Sequence, residues 1–394
     1  MNIILFEDSD FRKHLKPLTL TRPIGSLRVG ILTIKEKWEK RLNAQVSFYT
    51  EGYLATKFAM VKTDDNYFVN SSFLPTDTLI GLIEKLEIGG VIVSGFEVVA
   101  YRGEEKLTSQ ELTRASKISE LEPADSRTIK HLPDLFLNNG DEIREDFRYI
   151  TAGRQSAGIA DPHTRVYGEN QIFVEEGVQI KAAIINAEDG PVYIGKDAIV
   201  QEGAIILGPS SIGPEAKVAY GAKIRNNVTL GPACRVGGEV GNTIFYASSN
   251  KAHDGFLGNS YIGEWCNLGA NTNASNLKND YGTVKLFDYL TDEMTSTGET
   301  FVGTFMGDYS KAGISTMFNT GSVVGVCCNV FGAGFQSKII RSFSWGGAAE
   351  GYEPYRFEKA IEVINATMSR RNTQLTEEET EILMFIKGKQ KDAV

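Results

Sequence analysis

One period dominates the middle of the chain: an aliphatic residue recurs at every sixth position, eight times without a break. The run consists of Ile194, Val200, Ile206, Ile212, Val218, Ile224, Leu230 and Val236. A six-residue repeat is typical of a left-handed parallel β-helix, in which six residues form one side of a triangular coil. The spacing therefore predicts a solenoid with about 18 residues per turn.

Glycines repeat at the interval that such a turn requires. Gly195, Gly213 and Gly231 each follow one of the aliphatic positions and recur once in every three hexads. Gly203 and Gly221 share this interval. We expect the coils to turn corners at such positions, because glycine adopts a left-handed conformation without a Cβ clash.

The period continues more weakly on both sides of the central run. Further hexad positions are Ile172, Val178, Ile184, Phe256, Ile262, Leu268, Phe318, Val324 and Val330. Two polar stretches, 237–255 and 279–299, interrupt the period, and in a solenoid such stretches indicate loops that leave one corner. We expect the chemistry on these loops, because the coils themselves are committed to packing.

The first 150 residues lack hexads and predict a different domain. Short β-like runs at 2–6, 46–49 and 90–93 alternate with a helical period at 78–86, which favours an α/β fold. Residues 134–148 form a polar connection, predicted to be helical after Gly140. An amphipathic helix is predicted at 355–371, and Thr376 with Glu379 forms a capping box for a second. The predicted domains are 1–150 (α/β), 151–345 (β-helix) and 346–394 (a helical cap).

Composition narrows the range of partners. The net charge is −9 and no dense basic stretch is present, which disfavours nucleic acid as a partner.

No apolar run approaches the roughly 20 residues of a membrane span, and the N-terminus turns acidic early, so we expect a cytoplasmic protein. The four cysteines are too few and too poorly spaced for a disulfide framework or zinc cluster, and predict buried free thiols. Flat solenoid sides commonly pair threefold, so a homotrimer is expected.

One of only four histidines ends the first polar stretch. His253 could act as a general base near neutral pH, although a surface histidine without function is the alternative. The amides of Asn271, Asn273 and Asn276 follow, and amides either bind a sugar or turn a corner in the left-handed region. Corner-turning is the better explanation for Asn271 and Asn273.

This order of residues resembles the acetyltransferase domain of the bifunctional N-acetylglucosamine-1-phosphate uridyltransferase/glucosamine-1-phosphate N-acetyltransferase family. The similarity is close over residues 245–280, through K-A-H, F-L-G-N and N-L-G-A-N-T followed by Asn276. It implies that His253 takes the proton from the sugar amine and that Asn276 orients this amine. It also implies substrate or cofactor contacts for Lys251 and Phe256, and Phe256 stands where the family often has tyrosine.

Residues 305–314, F-M-G-D-Y-S-K-A-G-I, resemble the coil that holds acetyl-coenzyme A in the same family. The resemblance implies that Ser310 and Lys311 contact this co-substrate. Lys311 would meet a phosphate of the cofactor or of the sugar, and a solvated lysine is the alternative.

Residues 11–30 resemble the start of sugar-phosphate nucleotidyltransferases in a shortened form, through P-L-T-L-T-R-P and L-R-V-G. The resemblance implies a nucleotide or sugar-phosphate site, with Mg²⁺ for the nucleotidyl step. The residues placed there are Asp8, Arg12, Arg22, Arg28 and Asn70. The sequence departs from the family at 7–10, where E-D-S-D replaces a glycine-rich phosphate loop, and at 70–72, where the Mg²⁺-binding aspartate is missing.

The resulting functional hypothesis has two steps. Acetyl transfer from acetyl-coenzyme A to glucosamine 1-phosphate is followed by uridylyl transfer from UTP. One alternative is a nucleotidyltransferase for another sugar 1-phosphate, such as a thymidylyltransferase, with the solenoid as trimer scaffold. Another is a trimeric sensor of nucleotide sugars without catalysis.

Overall fold

The computed structural model describes residues 1–105 and 117–389. These residues form two compact units. The first contains residues 1–15, 22–27, 32–105 and 117–134, and the second contains residues 16–21, 28–31 and 135–389. Two short pieces of the N-terminal sequence are therefore part of the second unit.

The first unit is an α/β fold around a six-stranded sheet. Its strands are β1 (Asn2–Phe6), β2 (Gln45–Tyr49), β3 (Asn66–Asn70), β4 (Gly90–Ser94), β5 (Glu97–Gly103) and β6 (Lys117–Glu120). Its helices are α1 (Ser9–His14), α2 (Ile34–Leu42) and α3 (Asp77–Glu84), with 3-10 turns at Ile24–Ser26 and Pro123–Asp125.

The strand order β2-β1-β3-β5-β4-β6 brings possible ligand-binding groups to one edge of this sheet. β1 is parallel to both β2 and β3, and β5 is antiparallel to β3. The carboxyl ends of β1 and β3 and the start of β5 consequently lie along the same edge. In open α/β sheets, ligands bind outside the carboxyl ends of parallel strands.

The second unit is a parallel β-solenoid with three faces, named here A, B and C. Face A comprises Arg165–Tyr167, Ile184–Asn186, Ile205–Leu207, Lys223–Ile224, Asn273–Ala274, Met317–Phe318 and the first halves of Glu239–Ala247 and Phe256–Glu264. Face B comprises Ile172–Val174, Val192–Ile194, Ser210–Ile212, Val228–Leu230, the second halves of those two long strands, Thr304–Met306, Ser322–Val324 and Ile339–Ile340. Face C comprises Gln179–Ile180, Ile199–Val200, Lys217–Val218, Arg235–Val236, Asn250–Lys251, Asn267–Leu268, Lys311–Ala312, Asn329–Val330 and Ser344–Gly347.

The hexad residues form the core of this solenoid. All eight aliphatic positions of the central run are between 0% and 1% exposed. Gly203 and Gly221 have φ of +74° and +68°, the left-handed corner conformation expected for them. The predicted fold class, an α/β domain followed by a parallel β-helix and C-terminal helices, is confirmed.

Two adjacent isoleucines allow a matched test of this core. Ile206 is fully buried inside the solenoid, whereas Ile205 points outward from the same strand and is only half-buried. We expect Ile206→Ala to lower the free energy of unfolding by about 2–5 kcal/mol, because the coils above and below cannot close the cavity. The control variant Ile205→Ala should cost less than about 1 kcal/mol. Urea unfolding compares the two variants, and equal losses would contradict the inward assignment.

The weak hexads before the central run were assigned in the wrong register. Ile184 is 39% exposed, and the side chains that point inward are Val174, Ile180 and Ile185. Val174 pairs with Ile194 and Ile180 with Val200, so each lies 20 residues before its partner, and this coil is longer than three full hexads.

The polar stretch 237–255, predicted as a loop, is instead part of the coils. Strands Glu239–Ala247 and Asn250–Lys251 run through it and pair in parallel with the coils on either side. The prediction was wrong because these coils contain fewer residues than three full hexads. Their inward-facing residues therefore do not fall at every sixth position. The same shift turns Phe256 outward, while Leu257 is 1% exposed in the core. The second stretch, 279–299, does leave the coils, and forms the antiparallel hairpin Lys285–Asp288 and Glu293–Ser296.

Helix α4 (Leu132–Thr151) runs through Gly140, although the sequence predicted a connection that became helical only after it. Close packing explains the glycine, because an added Cβ would lie 2.2 Å from Asn227 Oδ1. Asn139 Nδ2 donates to Asn227 O at 2.9 Å. The missing side chain thus allows α4 to lie directly on the solenoid.

Two helices follow the solenoid: α5 (Phe357–Ser369) and α6 (Glu377–Gly388). The predicted capping box at Thr376 and Glu379 is present. Beyond the end of α5, Arg371 donates to Ala233 O at 2.6 Å and to Asn250 Oδ1 at 2.8 Å. The α5 segment is therefore anchored along face C. Among residues 1–105 and 117–389, no helix combines the length and apolar character of a membrane span.

Candidate active site

Asparagines stack at the corner between faces A and B. We call Asn226, Asn242, Asn259 and Asn276 the asparagine corner. Backbone bonding and strand register place them in successive coils, and the Asn276 amide donates to Asn259 Oδ1 at 2.8 Å. Asn242 and Asn259 have φ of 46° and 49°, so two of these residues turn the corner themselves. These asparagines recur at a nearly constant interval in the sequence. Because that interval is slightly shorter than three full hexads, a count of complete hexads does not reveal it.

The structure brings Phe256 and Asn276 together above a strip without side chains. Gly258, paired with Gly241 in the neighbouring coil, forms this strip. A Cβ on Gly258 would lie 2.7 Å from Asn276 Nδ2 and 2.8 Å from Phe256 Cζ. These two atoms are therefore separated by no more than the sum of those distances. The ring of Phe256 and the amide of Asn276 thus cover Gly258, which is itself buried, and the side chain of Arg225 packs over Gly241.

His253 lies at the opposite end of face A. Its side chain is exposed, at the corner that precedes Phe256. Asn259 follows His253 by six positions, and its side-chain oxygen accepts from the amide of Asn276. Given the reach of an extended chain, the Cα atoms of His253 and Asn259 are at most about 20 Å apart. Within one chain, the two predicted catalytic side chains thus border the strip from different ends.

Lys251 points into the solenoid. It is 0% exposed and its Nζ donates to His253 O at 3.0 Å. Burial lowers the pKa of Lys251 to about 8, against the opposing effect of Asp254. The predicted contact of Lys251 with substrate or cofactor lacks support in this geometry, because its ammonium is enclosed by the backbone near Gly238 and Gly255. Lys251 instead fixes the carbonyl of His253.

The buried ammonium of Lys251 predicts a specific pH dependence of stability. The folded pKa of about 8 lies below the ordinary value of 10.5, so between these pH values the unfolded state binds more protons. The burial penalty is fully present below pH 8 and is relieved as pH rises. From pH 7 to 9.5 we expect wild type to gain about 2 kcal/mol of unfolding free energy relative to Lys251→Met. Urea midpoints at the two pH values measure this difference, and identical pH profiles would refute the assignment.

Ser310 and Lys311 occupy different environments. Ser310 is fully buried; its hydroxyl donates to Gly325 O at 2.6 Å and accepts from Cys328 N at 2.9 Å. The hydroxyl is thus occupied in joining coils. Lys311 points outward on face C beside Tyr355 and Ile364, in a small cavity next to α5. Burial lowers the pKa of Lys311. An interaction of Lys311 with acetyl-coenzyme A stays a prediction.

In the first unit, the segment that replaces a glycine-rich loop is held by an internal ion pair. Arg12 and Glu7 form a salt bridge of 2.9 Å, and both side chains are 5% exposed. Arg12 also donates to Tyr53 Oη at 3.0 Å, and Glu7 accepts from Ile24 N at 2.6 Å. Despite its burial, the pKa of Arg12 is raised by Glu7 and Tyr53. Asp8 caps α1 by accepting from Asp10 N and Phe11 N.

The remaining predicted phosphate-binding residues are distributed over both units. Asn70, at the end of β3, donates to Val98 O at 3.3 Å and accepts from Ser72 N at 3.0 Å. Arg22 is 5% exposed in the first unit. Arg28 belongs to the second unit, where its guanidinium donates to Tyr246 O at 3.1 Å and Ile31 O at 2.5 Å.

In the described part of the first unit, no cluster of side chains could hold a magnesium ion. In the described parts of the chain, no group of three or more histidine, cysteine or carboxylate side chains could hold a metal ion. The end of β3, Asn70-Ser71-Ser72, also carries no carboxylate.

Residues 3–155 match a family described as sugar nucleotidyl transferase. The match covers the region in which the P-L-T-L-T-R-P motif was found. Over these residues the chain is similar to that family, and the predicted enzyme class, transferase, is confirmed. No curated protein matches the chain in sequence.

Several solved structures show similarity to the chain. An N-acyltransferase from Bacillus cereus, determined with dTDP and coenzyme A, is 12% identical; the match covers 54% of this chain and 92% of that one, with a TM-score of 0.23. A UDP-N-acetylglucosamine acyltransferase from Campylobacter jejuni is 14% identical, with 57% and 94% covered and a TM-score of 0.21. A GDP-perosamine N-acetyltransferase from Caulobacter crescentus is 13% identical, with 66% and 95% covered and a TM-score of 0.14.

Proposed function

We propose that the chain is a bifunctional enzyme of amino-sugar nucleotide synthesis. Its solenoid would transfer an acetyl group from acetyl-coenzyme A to glucosamine 1-phosphate, and its first unit would transfer uridylyl from UTP to the product. The observation that carries the acetyl-transfer step is the approach of Phe256 and Asn276 over Gly258 at one end of face A, with the exposed His253 at the other end. The family match of residues 3–155 supports the nucleotidyl step.

The chemistry assigns one task to each side chain. The sugar amine attacks the thioester carbon as His253 takes one amine proton. Asn276 has one amide hydrogen bond to Asn259, and its carbonyl oxygen can accept from the amine. The C–S bond breaks as the tetrahedral intermediate collapses, and protonated His253 gives its proton to the sulfur, so that coenzyme A leaves as the thiol. Phe256 provides an apolar surface for the sugar but no hydroxyl.

The two ends of face A also suggest how the site is completed. A monosaccharide is shorter than the chain segment between His253 and Asn259 when that segment is extended. We propose a homotrimer in which His253 of one protomer and Asn276 of another engage the same amine. Two neighbouring protomers would then be needed for turnover.

A second candidate for the first unit is binding of a nucleotide sugar without catalysis. The buried Glu7–Arg12 pair favours it, because these side chains and the Asp8 cap occupy the segment where related enzymes use backbone amides of a glycine-rich loop. A third possibility is nucleotidyl transfer to another sugar 1-phosphate, with dTTP in place of UTP.

The experiment measures the two half-reactions separately. Release of coenzyme A from acetyl-coenzyme A, followed with a thiol reagent, is expected only when glucosamine 1-phosphate is present. Absence of release from a correctly assembled protein would eliminate the acetyltransferase. Pyrophosphate release with UTP or dTTP and several sugar 1-phosphates then identifies the nucleotide. Binding without pyrophosphate release would favour the non-catalytic alternative.

A further inference from the structure

The backbone ladder of face A is interrupted beside the proposed base. Among the described strands, Phe256–Glu264 pairs on this face with the preceding coil, Glu239–Ala247, but not with the following coil. The strand of that following coil, Asn273–Ala274, belongs to a separate two-stranded sheet. Residues 253–256, named here the His253 turn, lie directly before the interruption. The end of this turn therefore lacks part of the backbone pairing that holds other coils together.

The side chain of Asn273 bridges the interruption. Its Oδ1 accepts from Phe256 N at 2.8 Å, a bond that a backbone carbonyl accepts in a continuous ladder. Its Nδ2 donates to Asn271 O at 2.9 Å, so both ends of the amide are hydrogen-bonded. Corner-turning, expected for both asparagines, applies only to Asn271, which has a φ of 59°, whereas Asn273 lies in a strand. Asn273 instead ties the end of the His253 turn to the next coil.

The rest of the His253 turn is also held by its neighbours. Three consecutive carbonyl oxygens each accept one hydrogen bond. The donors are Lys251 Nζ for His253 O at 3.0 Å, Asn271 N for Asp254 O at 3.0 Å and Glu239 N for Gly255 O at 3.1 Å. The imidazole of His253 is exposed and, within residues 1–105 and 117–389, has no hydrogen bond of its own. The backbone of the turn, rather than side-chain packing, therefore sets where this imidazole lies.

We propose that Lys251 and Asn273 are positioning residues that hold the His253 turn and thereby place the imidazole of His253. This inference rests on the proposed acetyl-transfer function, in which His253 takes the amine proton. A general base works only within hydrogen-bond reach of that proton. A misplacement of about 1 Å can lower a rate about 10²-fold. Both side chains act on the backbone of the turn, so neither needs to contact a substrate.

The kinetic experiment separates kcat from KM. Lys251→Met and Asn273→Ala should each lower kcat for coenzyme A release by about 10- to 100-fold, because the base is displaced. The KM values for acetyl-coenzyme A and glucosamine 1-phosphate should stay within about twofold of wild type, since no ligand contact is removed. Unchanged kcat in both variants, or a rise in KM alone, would overturn the inference.

Two features of the chain keep this comparison interpretable. Asn267→Ala is the matched control, because Asn267 lies on face C and its side chain accepts only a long bond of 3.5 Å from Asn250. It should have the kcat of wild type. Asn273 is half-buried, whereas Lys251 is fully buried. Asn273→Ala thus still tests the positioning role if Lys251→Met does not fold.

A double-mutant cycle distinguishes positioning from a general loss of structure. In a His253→Ala background, Lys251→Met and Asn273→Ala should each change the residual kcat by less than about twofold, because the group that they position is absent. Equal fold-reductions with and without His253 would show that the substitutions damage the site in general, and would contradict the positioning role.

Hydrogen exchange tests the turn without turnover. The amide of Phe256 should exchange about 10-fold faster in Asn273→Ala than in wild type or Asn267→Ala, because its acceptor is removed. Unchanged exchange would overturn the inference. If wild type releases no coenzyme A, the proposed function fails and the positioning role fails with it. If wild type and both variants are equally active, the positioning role alone fails.

Discussion

His253→Ala should lower kcat for coenzyme A release by about 10²- to 10⁴-fold while leaving the oligomeric state unchanged. The expected size is that of a lost general base. The variant should fold normally, because the side chain of His253 is exposed and the imidazole contributes nothing to the solenoid core. Initial rates at saturating acetyl-coenzyme A and glucosamine 1-phosphate measure the effect.

His163→Ala is the matched control for this substitution. His163 is also exposed in the second unit, but it precedes the first face A strand, Arg165–Tyr167, far in sequence from the asparagine corner. Its removal should leave kcat within about twofold of wild type, as expected for a surface substitution away from the site. If His253→Ala also retained the full rate, the base would have to be another group.

Arg12→Met should lower the free energy of unfolding of the first unit by about 3–5 kcal/mol, the cost of removing one partner of a buried ion pair. The Glu7 carboxylate would keep its bond from Ile24 N but lose its neutralising guanidinium, and Tyr53 would lose a donor. Hydrogen exchange at the amides of β1 and β2 measures the change in the intact chain. The effect should be confined to the first unit.

Two further variants distinguish two causes of the expected loss in unfolding free energy: the uncompensated buried charge of Glu7 and the lost packing of the Arg12 side chain. Lys13→Ala removes a cation whose side chain is 42% exposed and whose ion pair with Asp10 is on the surface, so it should cost less than about 1 kcal/mol. Glu7→Gln/Arg12→Met removes both charges and should recover part of the loss, because no buried carboxylate remains uncompensated. A loss below about 1 kcal/mol for Arg12→Met would show that the pair is not a structural element of this segment.

The solenoid could be predicted from the sequence because its core repeats. Each inward position of the central run has the same environment one coil away, so eight residues carry the same signal. The prediction failed where coils depart from three full hexads: Ile184 pairs with Ile205, 21 residues later, and Phe256 pairs with Glu239, 17 residues earlier. A count by six then lands on outward positions. The mixed sheet of the first unit was predicted only as a fold class, because strand order depends on contacts that no local pattern specifies.

The candidate site was predicted less completely than the fold. The motif indicated Phe256 and Asn276, which do lie together, but it gave no sign that Lys251 points inward. In a coil shorter than three full hexads, a residue that the six-residue spacing places on the outside can point inward instead, as Lys251 does. Arg12 was expected to face a nucleotide, yet its buried partner Glu7 is the residue that replaces a glycine loop. An acidic residue in that position was the signal for a structural ion pair.

The most direct test of the acetyl-transfer site is a crystal structure with coenzyme A and glucosamine 1-phosphate bound. We expect the sugar to lie on face A with its amine about 3 Å from a His253 ring nitrogen and from an Asn276 carbonyl oxygen, contributed by neighbouring protomers. A sugar bound elsewhere, with neither side chain within reach of the amine, would contradict it.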